Sequence, residues 1–271
     1  MADDGRALRL RLLSAAALAP IALGVVILGG WVFALFVGAM VALMSHEWSR
    51  LSEARFGRSY ACIAGAAVLG AGLVATSLTA LGRPGAALVC VAAAALGAGL
   101  IAWMRGPASV WTSVGVVLVG LPAVALVWLR SLPDIGLSAL LWLLMVVWAT
   151  DSAAYLVGRR VGGARLAPSI SPGKTWSGLG GGVIGASLAS VIVAWVLGSE
   201  RLLHAAGLGA GFAVIAQLGD LAESMLKRRA GVKDSGSLIP GHGGVLDRVD
   251  GLLLTAPALS LLLGLKAWPW P

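Results

Sequence analysis

The stretch SMLKRRAGVKDSGSLIPGHGGVLDRVD, Ser224 to Asp250, decides how the rest of the chain is read. Its 27 residues hold five Lys or Arg, three Asp and a histidine between glycines, yet apolar runs flank it, Leu202 to Leu221 and Val249 to Leu265. Ionisable groups at a membrane surface, or in a cavity reaching into it, are expensive, and a functional site is the default reading of such a place. The loop thus implies membrane helices on either side of it and chemistry within it.

Composition extends that reading to the whole chain. At 271 residues, 59% hydrophobic and 12% charged, with a mean hydropathy of +0.92, the chain lies far from soluble averages. A helical span needs roughly 20 apolar residues to cross about 30 Å of hydrocarbon. That ruler predicts an all-α polytopic integral membrane protein of about nine helices with a cytosolic N-terminus. The expected spans are Leu12–Leu28, Trp31–Met44, Tyr60–Leu81, Gly85–Met104, Val110–Leu129, Leu137–Tyr155, Trp176–Gly198, an eighth from Leu202 into Asp220 and Glu223, and Val249–Leu265. A small-residue patch, Ala15 to Ala19, imitates a signal-peptidase site, but the apolar run continues past it, so the first helix is expected to be retained. Ser45 to Ser59, with Arg50, Arg55 and Arg58, reads as an amphipathic surface segment. Residues 1–147 are expected to form a scaffold with lipid and oligomer contacts, and residues 148–271 a catalytic region with two polar loops.

Charge distribution orients the chain. With the N-terminus inside, sixteen Lys or Arg fall on the cytosolic side, and four, Arg83, Arg130, Arg201 and Lys266, fall outside. This positive-inside bias puts both long polar loops where nucleotides are. It also accounts for the net charge of +8 without a nucleic-acid partner. Trp31, Trp48, Trp103, Trp111, Trp128, Trp148 and Trp176 fall near expected helix ends, as an aromatic belt requires. Cys62 and Cys90 lie in apolar runs without ligand spacing and read as small buried hydrophobes. The closely spaced glycines 178, 180, 181, 182 and 185, with Gly207 and Gly211, read as helix-packing positions.

Asp220, Glu223, Ser224 and Lys227 recur at helical spacing and share one face at the end of the eighth helix. Asp247 and Asp250 stand three apart at the start of the ninth. Oxygen ligands without His or Cys spacing suit a hard cation, and Mg²⁺ takes one or two carboxylates plus substrate phosphates. Asp220 and Asp247 are therefore the expected metal ligands, with a second cation left open; surface ion pairing is the rival role. Lys227, Arg228, Lys233 and Arg248 can hold a triphosphate and offset charge on a leaving diphosphate. Arg229 reads as a topogenic charge. Pro240-Gly-His242-Gly243-Gly244 is a turn whose glycines permit close backbone approach to an anion or a base, with His242 a potential donor to phosphate. A second loop, Gly158 to Thr175, adds Lys174, and Asp151 precedes it. Gly173-Lys174-Thr175 is not a P-loop, because position 168 is Pro168 where G-x4-G-K-[ST] needs glycine.

The pattern S-x-L-K-R-x4-K-D-x-G-x2-I-P-x-H-G-G-V-x-D-R-V-D, from Ser224 to Asp250, resembles the signature of the phosphatidate cytidylyltransferases, the CDP-diacylglycerol synthases. The fragments W-A-T-D-S-x-A-Y-x-x-G-R, from Trp148 to Arg159, and S-P-x-K-T, from Ser171 to Thr175, are similar to the same family. Ser177-Gly178 departs from it, at a place where many relatives carry an acidic residue. The resemblance implies an integral membrane nucleotidyltransferase that joins CTP to phosphatidic acid and releases diphosphate. On that reading Asp220, Asp247, Lys227 and Lys233 are catalytic. Asp151, Lys174, Ser224, Arg228, Asp234, His242, Gly243, Gly244, Arg248 and Asp250 bind substrate or nucleotide. A homodimer in a bacterial plasma membrane, with its site facing the cytoplasm, is expected. A CTP-dependent enzyme acting on another lipid, or a membrane transporter, is the alternative.

Overall fold

A computed structural model describes residues 19–105, 108–236, 238 and 243–265. Arg6, Arg9, Arg11, His242 and Lys266 lie outside the described residues. Within them the chain is almost wholly helical: α1 Ala19–Leu28, α2 Gly30–Phe56, α3 Arg58–Ala80, α4 Pro84–Arg105, α5 Ala108–Ser131 and α6 Gly136–Val161 come first. A short hairpin of β1 Arg165–Ala167 and β2 Ser171–Thr175 follows, then α7 Trp176–Val196, α8 Leu202–Arg229 and α9 Leu246–Gly264. Seven of these helices, α2 to α8, are long and apolar enough to cross a membrane. The expected first span is described only from Ala19, and α9 carries Asp247, Arg248 and Asp250 in its opening residues, which lowers its apolar content.

The helices divide into two compact units, Met1–Leu132 with Lys227–Val249, and Pro133–Leu226 with Asp250–Pro271. In the first, α2 to α5 pack together. Gly29 and Gly30, both at positive φ, break α1 from α2, and the Arg130 guanidinium donates to the carbonyls of Val26 (2.6 Å) and Ile27 (3.0 Å) at the end of α1. A cation on the last carbonyls of a helix satisfies orphan acceptors and opposes the helix dipole. Arg130 is thus a helix cap as well as a loop charge.

The segment Ser45 to Ser59 departs from expectation. It is not a surface appendage: α2 runs unbroken through it to Phe56, and Ser45, Glu47, Trp48, Leu51 and Ser52 are buried. Trp48 stacks on Trp111 with ring centroids 5.0 Å apart, and the Trp111 indole N–H donates to Ser52 Oγ at 3.0 Å. These two tryptophans are core residues, not belt residues, because each ring finds an aromatic partner inside the bundle. Trp31 and Trp176 stay exposed at helix ends, as a belt would have them.

In the second unit α6 and α7 lie against each other along their length. A Cβ at Gly185 would come within 2.5 Å of Ala153 Cβ, and one at Gly182 within 3.1 Å of the Thr150 carbonyl. Gly178 and Gly181 are equally crowded, so the packing reading holds for these positions. It fails at Gly180, Gly207 and Gly211, which face open space; the close approach on α8 is made by Gly209 against the Ala186 carbonyl of α7. Trp142 of α6 donates to Ser190 Oγ (2.8 Å), and Ser190 donates to the Ala205 carbonyl (2.6 Å), tying α6, α7 and α8 through one polar chain.

Candidate active site

The signature residues fall into two clusters, one in each unit. In the unit of α2 to α5, Lys227 from the last turn of α8 reaches Asp247, in the first turn of α9, at 2.5 Å. Both side chains are largely buried, with 12% and 7% exposure, so the pair is shielded from solvent rather than a loose surface bridge. Asp247 Oδ2 accepts three more hydrogen bonds, from Gly244 N–H (2.8 Å), Ser235 Oγ–H (2.9 Å) and Ser235 N–H (3.1 Å). Burial alone would push the Asp247 carboxyl up. The hydrogen bonds from Lys227, Gly244 and Ser235, with the Lys227 charge, outweigh it and hold the carboxyl below its ordinary value of 3.8.

The described ends of this loop, Ser235-Gly236 and Gly243 to Leu246, are built around carboxylates of their own chain. Gly243 takes φ +82°, which a side chain rarely adopts, and a Cβ there would come within 3.0 Å of Asp247 Oδ2. A Cβ at Gly244 would stand 2.1 Å from Ser235 Oγ and 2.7 Å from Glu47 Oε1. The glycines do permit close approach to an anion, and in this structure the anions are Asp247 and Glu47. Glu47 is fully buried on α2, and its carboxylate accepts N–H groups of Val245 (2.6 Å) and Leu246 (2.8 Å) and contacts Ser235 Oγ (3.1 Å). Sequence reasoning missed it. The available signal was helical phase, since Glu47 stands three residues after Met44 and four before Leu51, both buried.

Arg228, Lys233, Asp234 and Arg248 are exposed around this cluster. Arg228 donates to the Val232 carbonyl at 3.4 Å, curling the start of the loop. Arg229 is exposed too, and its backbone carbonyl accepts a hydrogen bond from Arg55.

In the other unit the hairpin positions Lys174. Arg165 pairs with Thr175 and Ala167 with Ser171, and the Thr175 hydroxyl then accepts the Gly178 N–H at 3.0 Å to cap α7. The polar loop read from Gly158 to Thr175 therefore contains a strand pair. Lys174 Nζ lies 2.5 Å from Asp220 Oδ2 of α8, at 17% and 26% exposure. Ser224 Oγ donates to Asp220 Oδ1 at 3.3 Å, as the helical spacing predicts. Gly219 lets the Asp250 carbonyl approach α8, since a Cβ there would fall 2.6 Å from that oxygen. The Asp250 side chain lies within electrostatic reach of Asp220, Asp151 and Lys174. Glu223 is buried on α8.

Among the described residues no group of three His, Cys, Asp or Glu is set to enclose a metal ion. The donor chemistry nevertheless fits Mg²⁺, which uses one or two carboxylates and draws its remaining ligands from water and substrate phosphate.

Seven helices long and apolar enough to cross a membrane define an integral membrane protein, which carries two shielded lysine–aspartate pairs, Lys227–Asp247 and Lys174–Asp220. The chain belongs to the cytidylyltransferase family, whose sequence profile matches residues 9–265. It is 37% identical over 272 residues to the phosphatidate cytidylyltransferase of Brucella suis biovar 1, covering 97% of this chain and 95% of the relative. The phosphatidate cytidylyltransferase of Pseudomonas aeruginosa is 39% identical over 284 residues, 97% of this chain and 100% of the relative. That of Bacillus subtilis is 42% identical over 138 residues, 51% of each chain.

Proposed function

We infer that this chain transfers the cytidylyl group of CTP to phosphatidic acid, giving CDP-diacylglycerol and diphosphate. The observation that carries the reading is the near full-length likeness to phosphatidate cytidylyltransferases, together with the Lys227–Asp247 pair within the signature and the Lys174–Asp220 pair. Neither a transporter nor a CTP-dependent lipid kinase has a comparable observation behind it.

The chemistry needs no protein nucleophile. A phosphate monoester has a second pKa of about 6, so the lipid phosphate is largely dianionic at neutral pH. One of its oxygens attacks the α-phosphorus of CTP; a new P–O–P linkage forms as the α–β anhydride bond breaks, and diphosphate departs with the electron pair. The work left to the protein is positioning and electrostatics. Lys227, Arg228 and Lys233 offset the charge on the departing diphosphate, and Arg248 with the Gly243-Gly244 turn holds phosphate oxygens. Lys174, Ser224, Asp234, His242, Asp151 and Asp250 bind the nucleotide or the lipid phosphate. Asp220 and Asp247 are the residues that would hold Mg²⁺, which when bound neutralises phosphate charge. Each of these carboxylates is paired with a lysine, Asp220 with Lys174 and Asp247 with Lys227.

The active side faces the cytoplasm of a bacterial plasma membrane, in keeping with the basic residues on that side, and the lipid tails stay in the bilayer. Two copies form a homodimer. The test is CTP labelled at the α-phosphate: the label passes into the organic phase only when phosphatidic acid is present, whereas γ-label stays aqueous as diphosphate. α-Label remaining aqueous with purified, folded protein would overturn the reading.

A further inference from the structure

We propose that Glu47 is a positioning residue for cytidylyl transfer, acting from α2 through Ser235 and the start of α9 to fix the register of Asp247. The proposal rests on the functional reading above, and it adds a residue from the N-terminal half, where no motif points to chemistry.

Burying a carboxylate completely is costly unless its oxygens are occupied. At Glu47 the occupants are all parts of one feature, the final approach to Asp247: the N–H groups of Val245 and Leu246 and the Ser235 hydroxyl. Ser235 is the hinge of this arrangement, because its Oγ lies 3.1 Å from Glu47 Oε2 and 2.9 Å from Asp247 Oδ2. One hydroxyl proton is shared between two carboxylates, so moving either carboxylate changes what the other receives. Gly236 and Gly244 close the fit, since a Cβ at either would stand 2.9 Å or 2.7 Å from Glu47 Oε1.

The platform beneath is rigid. Trp48, the next residue, is fully buried and stacked on Trp111, which in turn bonds Ser52 one turn further on. Tyr60 of α3 bonds Thr112 of α5 beside them, and Phe56 packs edge-on against both Tyr60 and Trp111. A side chain locked on a helix can hold a loop to the tolerance that transfer chemistry demands, where a 1 Å misplacement can cost about 10²-fold in rate. A carboxylate that only stabilised the fold would not need to converge on the two residues before Asp247 and on the serine that Asp247 itself uses.

The experiment compares wild type, Glu47→Gln, Ser235→Ala, the double variant and Glu53→Gln, purified in detergent, with turnover normalised to folded protein. Glu53, exposed on the same helix, controls for loss of one negative charge. Glutamine keeps the size of Glu47 but presents an amide donor where the carboxylate accepted. We expect Glu47→Gln to lower kcat about 10- to 100-fold with KM for phosphatidic acid changed less than twofold, and Glu53→Gln to match wild type. The double variant should lose no more than the worse single variant, because both changes break one connection. Wild-type kcat per folded molecule in Glu47→Gln, with only yield or thermal stability reduced, would overturn the proposal, as would losses that multiply in the double variant. If Glu47→Gln does not fold, Ser235→Ala decides alone: an unchanged kcat refutes the shared connection, and a lowered kcat at constant KM supports it. Absence of diphosphate release by wild type would instead refute the functional reading and is recognised in the same assay.

Discussion

Asp247 shows how four donors outweigh burial. Desolvation favours its neutral form, but Lys227, the Gly244 N–H and both donors of Ser235 keep it charged below the usual carboxylate range. A carboxyl whose folded value is depressed contributes stability above its unfolded value, and that contribution disappears as pH falls through the folded value. Lys227→Met removes the largest of the lowering influences, leaving burial less opposed. The thermal unfolding midpoint of Lys227→Met should therefore lie below wild type at pH 7, with the gap narrowing as pH is lowered past 3.8 and Asp247 protonates. A gap independent of pH would show that the ion pair is not its source. The basic cluster separates on the same physics. Lys227 is shielded and paired, whereas the Arg229 side chain is exposed. Arg229→Ala should keep turnover within about twofold of wild type, while Lys227→Ala should lose at least about 10²-fold, the scale on which electrostatic stabilisers act. Equal losses in the two would contradict this division of labour.

At the scale of elements, spacing rules placed the helices well and their ends less well. Apolar runs of span length marked α3 to α8 because membrane helices must satisfy their backbone internally and so show themselves as uninterrupted hydrophobic stretches. The same rule misplaced Ser45 to Ser59, where polar residues were read as surface although Glu47, Ser45 and Ser52 lie inside the bundle. Burial of Glu47 depends on partners nearly two hundred residues away along the chain, information that no local window contains, whereas Ser45 and Ser52 bond carbonyls one turn back on their own helix. The hairpin at Lys174 was hidden for another reason: two strands of three and five residues have too few positions for an alternating pattern to emerge. Glycine spacing on α8 was also ambiguous, because Gly207, Gly209 and Gly211 fit one helix equally and only the neighbour distinguishes them. Gly209→Ala must push into the Ala186 carbonyl and should cost about 1–3 kcal/mol in the range of core overpacking. Gly207→Ala meets open space and should be neutral or stabilising by up to about 1 kcal/mol, as for glycine replaced within a helix. Thermal unfolding in detergent separates the two, and equal midpoints would refute the assigned contact.

Over the whole molecule, the function was more legible than the geometry that serves it. Residues Ser224 to Asp250 carry charges that an apolar chain retains only for a purpose, and their order resembles one enzyme family, whose profile spans nearly the whole chain. What that order could not reveal is which partner each charge takes. Lys227 reads as a phosphate binder and is found on Asp247; Lys174 is found on Asp220. The measurement that tests the central claim most directly is diphosphate release by the purified protein with phosphatidic acid, Mg²⁺ and each of the four ribonucleoside triphosphates in turn. The account predicts lipid-dependent release with CTP, abolished by chelator and by Asp220→Ala or Asp247→Ala in protein that still inserts into membranes. No release with any nucleotide from folded protein, or full release from both aspartate variants, would contradict it.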